Sequence, residues 1–290
     1  MTEVSFPEGN LIFDEKGGSA VLERCGGIFT EVVIPDKVAD GIPVKSILKK
    51  AFLGKKTIRS VIVPETVAAI GDFCFAHCSN LAKISLPKCE MGEGVFKGCD
   101  KLEIISVAGC DEDMGVLLAA AIRYGAPAHL TDMKDLGTGY YEKWDAWLEK
   151  LLSEPDDEGF TNQILCGEED YGNSDRNLYE IKRRMLKSSL CMIRLLNASF
   201  LAKEQKIRLS EYIYDHREGG DKGNESWLAL KEYYPDKRHF DLFNELGCIT
   251  NENRDAMIVS LGEDKAELKS LLIKTSGESA MDDFFDSLEL

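Results

Sequence analysis

The sequence predicts an α+β chain of two domains: a short β-solenoid with an N-terminal hairpin cap, then an all-α helical array. Three observations carry this. A short apolar phrase recurs four times between Ile28 and Val107. A second phrase, an aliphatic residue followed five positions later by phenylalanine, recurs between the copies of the first, at Ile47/Phe52, Ile70/Phe75 and Met91/Phe96. After about residue 130 the apolar spacing changes to that of helices. A repeat of 20–29 residues carrying one short strand is a solenoid signature, because each unit buries its apolar face only against the next.

The four copies read Ile28-Phe-Thr-Glu-Val-Val-Ile-Pro35, Ile58-Arg-Ser-Val-Ile-Val-Pro64, Leu81-Ala-Lys-Ile-Ser-Leu-Pro87 and Leu102-Glu-Ile-Ile-Ser-Val107. The prolines fall 29 and then 23 residues apart, and Ala108 stands 21 residues beyond Pro87. Each copy reads as a strand with alternate side chains inward, ended by a proline that cannot donate to a further ladder bond. The following segment, such as Val67–Ile70, turns the coil, with Gly71 and Gly92 at equivalent places where a tight turn would want them. Phe52, Phe75 and Phe96 then enter the core as an aromatic ladder. Ahead of the repeats, two alternating runs flank Lys16-Gly17-Gly18, a hairpin signal, and that hairpin covers the first coil.

From Asp113 to Gly125 the pattern reads as a helix begun by an acidic cap and stopped by glycine, closing the last coil. The polar stretch Thr131–Gly139 marks the boundary, giving domains 1–130 and 131–290. Tyr140–Ser153 carries an amphipathic stripe that includes Trp144, Trp147 and Leu151. An acidic knot, Gly167–Gly172, follows as a structured turn. Asp175 then caps a long helix, Arg176–Asn197, with Leu178, Ile181 and Met185 on its buried side and Lys182, Arg183, Arg184 and Lys187 on its outer face. Further helices are expected near Lys203–His216, Glu225–Tyr234, Lys237–Leu246, Asn251–Leu261 and Asp264–Lys274, with Thr250 as a cap. The turn Leu246-Gly-Cys-Ile-Thr250 between two helices is ankyrin-like, although Thr-Pro-Leu-His is absent. The end, Asp282–Leu290, is an acidic-aromatic tail.

Composition bounds function. The net charge is −16, and residues 131–290 hold 21 basic against 34 acidic side chains. A surface that acidic repels phosphate backbones, so nucleic acid is not an expected partner. The basic run Lys45, Lys49, Lys50, Lys55, Lys56 and Arg59 reads as a solvated loop. The longest apolar runs, near Val116–Ile122 and Leu190–Leu196, are too short to span a bilayer, and no membrane partner is expected. Met1–Glu8 has neither basic nor apolar character, so no signal peptide is read and a cytoplasmic location is expected, or a secreted or surface one if a leader was removed. Nine cysteines fit no disulfide framework. Cys78 and Cys99 fall at the same place in successive repeats and read as stacked small apolar residues, favouring a reducing compartment.

The phrases quoted above, with Val-x-x-Ile-Gly-x-x-x-Phe-x-x-Cys-x-x-Leu complete after Pro64, resemble the BspA-type leucine-rich repeat of bacteria over about Glu31–Val107. The first repeat departs from it by an insertion at Asp40–Pro43, and the third by Lys88-Cys-Glu-Met91 in place of Val-x-x-Ile. The helical region also resembles a tail found beside such repeats in Firmicutes proteins. The resemblance implies a binding module with no catalytic residues to carry over.

The chemistry agrees. Four histidines are scattered without a metal or catalytic spacing, and no phosphate-binding or nucleophile motif occurs. The acidic cluster Glu168-Glu169-Asp170 near Asp175 lacks the spacing of a calcium loop. The expectation is a non-enzymatic protein–protein interaction module without cofactor or metal. Its first candidate surface is the exposed strand face at Glu31, Arg59, Lys83 and Glu103, and its partner is a protein. The alternatives are a surface adhesin or host-interaction protein, and a metal- or ligand-binding helical domain with its own activity.

Overall fold

The computed structural model describes residues 1–161 and 175–275. The chain divides into two compact units, Met1–Trp144 and Asp145–Leu290. The acidic knot Gly167–Gly172 and the tail Asp282–Leu290 lie outside the described residues.

The first unit opens with three antiparallel strands, β1 (Thr2–Phe6), β2 (Gly9–Lys16) and β3 (Ser19–Gly27). The β2–β3 turn is the expected one, with Gly17 and Gly18 both at positive φ (62° and 78°). Strand β1 was not read from the sequence. Its residues alternate half-buried and exposed, too weak a contrast to stand out at a chain start.

The first three coils then supply two strands each, and the last coil supplies one. One set, β4 (Glu31–Val33), β6 (Ser60–Ile62), β8 (Lys83–Leu86) and β10 (Ile104–Val107), forms a four-stranded parallel sheet in the order β10-β8-β6-β4. The other set, β5 (Val44–Ile47), β7 (Ala69–Ile70) and β9 (Glu90–Met91), continues the hairpin into a six-stranded sheet, β1-β2-β3-β5-β7-β9. The segment expected only to turn the coil is therefore itself a strand. The hairpin caps the solenoid by direct pairing, β3 running parallel to β5 with Leu22 opposite Ile47.

Between the sheets lies the core. Ile58, Leu81 and Leu102 are fully buried at equivalent positions, and Val61, Ile84 and Ile105 follow three residues later. Phe52 stacks on Phe75 at 4.9 Å and 20°, and Phe75 on Phe96 at 5.8 Å and 7°, the predicted ladder. The cysteines share its rungs: Cys78 Sγ donates to Phe52 O and Cys99 Sγ to Phe75 O, each at 3.1 Å. Gly71 and Gly92 are needed for a different reason from the one expected. Neither has a positive φ. A Cβ at Gly71 would stand 2.5 Å from Lys49 N, and one at Gly92 2.6 Å from Asp72 N, so these glycines let successive coils approach.

Helix α1 (Glu112–Arg123) closes the solenoid by packing on β10. Its cap is Asp111, whose side chain accepts from Met114 N at 2.9 Å, two residues ahead of the aspartate expected. A Cβ at Gly115 would meet Ile105 O at 2.7 Å, so glycine sets how closely the helix approaches the strand. A short helix α2 (Ala128–Thr131) follows. Helix α3 (Tyr140–Ser153) spans the division between the units.

In the second unit the long helix α4 (Arg176–Leu196) packs against α5 (Lys203–Asp215), α6 (Glu225–Tyr233) and α7 (Lys237–Glu245), and α8 (Arg254–Ser260) against α9 (Ala266–Lys274). Thr250 and Asn253 form a reciprocal cap. Thr250 N donates to Asn253 Oδ1 at 2.8 Å, and Asn253 N donates to Thr250 Oγ1 at 3.3 Å. Of the basic run on α4 only Lys182 is exposed as expected, and the rest is not an outer face. Lys187 is 2% exposed and donates to Asp156 Oδ1 at 2.7 Å, and Arg184 bridges Asp156 and Glu225. Conversely, Leu178, expected inside, is 47% exposed. Helical period alone does not tell a solvated charge from one matched by carboxylates on Glu154, Asp156 and Glu225, which are distant in sequence.

Candidate functional site

The four-stranded sheet turns one face to the core and the other to solvent. Inward Val32, Val61, Ile84 and Ile105 are buried. Strand period then sends their neighbours outward in two rows across the sheet. Register places Glu31, Ser60, Lys83 and Ile104 in one row, and Val33, Ile62, Ser85 and Ser106 in the next.

All four residues expected on this face are exposed, but they do not form a single row. Glu31 and Lys83 share a row with Ser60 between them. Arg59 and Glu103 lie one residue earlier, in a row marked by the bonds Arg59 N to Thr30 O (2.7 Å), Ala82 N to Arg59 O (2.9 Å) and Glu103 N to Ala82 O (2.8 Å). Reading back from the prolines shows the offset: Glu31 and Lys83 precede theirs by four residues, Arg59 by five. None of the four is in a salt bridge among the described residues.

The sequence reading missed an apolar pair at the β4 edge of this face. Val33 and Ile62 are directly opposed on β4 and β6 and are 58% and 50% exposed. Parallel strands are ordinarily covered on both faces, so an opposed aliphatic pair in water is unusual for this geometry. The signal was present, since Val-Val-Ile and Val-Ile-Val place an aliphatic residue at the outward position of an alternating strand.

The buried thiols are unreactive. Burial pushes the thiols of Cys25, Cys78 and Cys89 up to about 11 and that of Cys99 to about 12, and raises those of Cys74, Cys191 and Cys248 as well. Such groups stay protonated and are poor nucleophiles. All eight described cysteines are free and all but Cys110 buried. Among the described residues no three His, Cys, Asp or Glu side chains are arranged to hold a metal, and no helix is long and apolar enough to cross a membrane. Asp175 serves as a helix cap, its carboxylate accepting from Leu178 N at 3.1 Å.

The family model described as "BspA type Leucine rich repeat region (6 copies)" matches residues 21–113, the span that holds β3 to β10 and the aromatic ladder. Residues 21–113 are a BspA-type leucine-rich repeat region. The BspA-type match stops at the start of α1 and does not enter the helical unit. Solved structures similar to the chain include a leucine-rich repeat protein of T. pallidum, at 29% identity over 33% of this chain and 46% of that one, TM-score 0.32. A leucine-rich cell surface protein of Faecalibacterium prausnitzii matches at 24% identity over 39% and 33%, TM-score 0.31. A leucine-rich repeat protein of Bacteroides capillosus matches at 28% identity over 40% and 92%, TM-score 0.31. The chain thus spans less than half of the T. pallidum protein. No curated protein matches it.

Proposed function

We propose that the BspA-type repeat is a protein-docking module and that its contact surface is the outward face of β4, β6, β8 and β10. The observation that carries this reading is the opposed pair Val33 and Ile62, held in water on a sheet whose other face is fully packed. Covering the exposed half of each side chain contributes roughly 1 kcal/mol apiece at ordinary burial coefficients. The charges of Glu31, Arg59, Lys83 and Glu103, in no salt bridge among the described residues, lie along one side of the pair, two or three positions earlier on the strands. They fix which partner fits, since charges at a rim act on specificity and encounter more than on affinity. The surface is a parallel sheet face, suited to a folded partner, and the activity is binding without chemistry. Eight free thiols support a reducing compartment such as the cytoplasm.

The test places a photo-crosslinking amino acid at Ser60, inside the face, and another at Lys97, in a coil turn outside the sheet. A partner from the source cell should crosslink at Ser60 and not at Lys97, and Val33→Asp should abolish the product while leaving the fold intact. Crosslinking that persists in Val33→Asp, or that occurs equally at Lys97, would reject this face.

A further inference from the structure

The helical unit holds a groove of its own, about 350 Å³, between the second half of α3 and α5. That volume lies within the range that takes small organic ligands. Its floor is apolar, built from the buried side chains of Leu148 and Leu209. Leu152 and Leu201 form walls around it.

Tyr212 completes the lining in a particular orientation. Its hydroxyl is buried and sits in the field of Asp156 and Glu225, on the α4 side. The groove therefore meets the ring and not the hydroxyl, and the ring stacks on His216 at 4.3 Å. An aromatic face of this kind attracts a cation.

The rim is charged, and its charges can be matched one by one. Asp145 is fully engaged by Arg194, at 2.5 and 3.0 Å. Glu149 pairs with Arg208, and Asp215 with Lys222 at 2.8 Å. Glu211 alone among the rim carboxylates has no ion-pair partner among the described residues, and it is exposed. The ammonium of Lys222 reports the local field: Asp215 holds its pKa above the ordinary lysine value, with further help from Glu211 and Asp221.

We propose that this groove binds a small organic cation, a primary amine on a compact apolar body, with the apolar part on Leu148, Leu209 and the Tyr212 ring and the ammonium against Glu211. This site is independent of the sheet face in the repeat unit.

The test titrates the full-length chain with three probes of similar shape, phenethylamine, phenethyl alcohol and 3-phenylpropionate, followed by NMR. The amine should bind about fivefold more tightly than the alcohol, the scale of one solvent-screened ion pair, and the carboxylate should bind weakest. Glu211→Gln should bring the amine to the level of the alcohol without changing the alcohol. Leu152→Trp, which fills the groove, should weaken both. Equal binding of amine and alcohol, no effect of Glu211→Gln, or no saturable binding by any probe would overturn the proposal.

Discussion

The ring of Phe73 lies directly over Gly94 in the next coil, so that a Cβ on Gly94 would stand 2.5 Å from Phe73 Cε1. The two residues hold the same place in successive coils, and both have left-handed backbone, φ 54° and 58°. Lys50 (φ 62°) is their counterpart one coil earlier. A second set, Gly54, His77 and Gly98, repeats the arrangement, with the His77 ring over Gly98. Phe73 and His77, the left-handed aromatic residues of the solenoid, thus each lie against a glycine in the coil that follows.

This relationship predicts a ranked series. Gly94→Ala and Gly98→Ala meet both the left-handed penalty, about 1–2 kcal/mol, and a displaced aromatic ring. Gly54→Ala meets the penalty alone, since nothing lies within 4 Å of its Cβ position. Denaturant melts should rank Gly54→Ala clearly milder than the other two, and Lys50→Gly should stabilise by up to about 1 kcal/mol. Equal losses at all three glycines would mean that the rings move aside freely.

The repeat was readable because its signal is redundant. The ladder of Phe52, Phe75 and Phe96 and the stacked Cys78 and Cys99 occupy fixed places in a period, and each copy corroborates the others. What was hidden depended on information that a period does not carry. Arg59 and Glu103 sit one residue out of row because they precede the strand starts Ser60 and Ile104, and pairing between coils sets that row. Lys187 and Arg184 lie on what looks like a polar helix face, yet they are matched by Asp156 and Glu225, 31 residues before Lys187 and 41 after Arg184. The groove beneath Glu211 is likewise built from α3 and α5, whose pairing no local pattern states.

A second prediction concerns Asp145 and Arg194. Arg194 is fully buried, grips both oxygens of Asp145 and donates to the carbonyls of Asn197 and Ser199. Removing one member leaves the other charge buried without its counterpart. Arg194→Met alone should destabilise the chain by about 3–5 kcal/mol. Asp145→Leu with Arg194→Met should cost less than the sum of the single changes, as measured by a double-mutant cycle. Additive losses would show that the pair is not coupled.

A third prediction is chemical. Thiols raised to about 11 or 12 by burial hold almost no thiolate at pH 8. Among the eight described cysteines only Cys110 is partly exposed. Brief iodoacetamide treatment of the native chain, resolved by peptide mass spectrometry, should label Cys110 first and leave Cys25, Cys78 and Cys99 unmodified until the chain is unfolded. Early labelling of Cys78 would contradict a packed solenoid core.

The last prediction follows from the charge cluster on α4. Burial pushes the Asp156 carboxyl up, but hydrogen bonds and attraction from Lys187 and then Arg184 outweigh it, and its pKa falls below the ordinary 3.8. Asp236 behaves alike: burial raises it, and the hydrogen bonds and charge of His239 bring it down. A carboxylate with a depressed folded-state pKa contributes stability that is present above its unfolded value and is lost as pH falls through the folded one. The helical unit should therefore lose stability as pH drops below about 4, with the loss extending to still lower pH. In Asp156→Asn the chain should be less stable at pH 7, because Lys187 then stays buried without its carboxylate, and its acid-side slope should be shallower. If Asp156→Asn lowers stability equally at pH 7 and pH 3, the carboxylate does not titrate with folding, and the cluster contributes through packing alone.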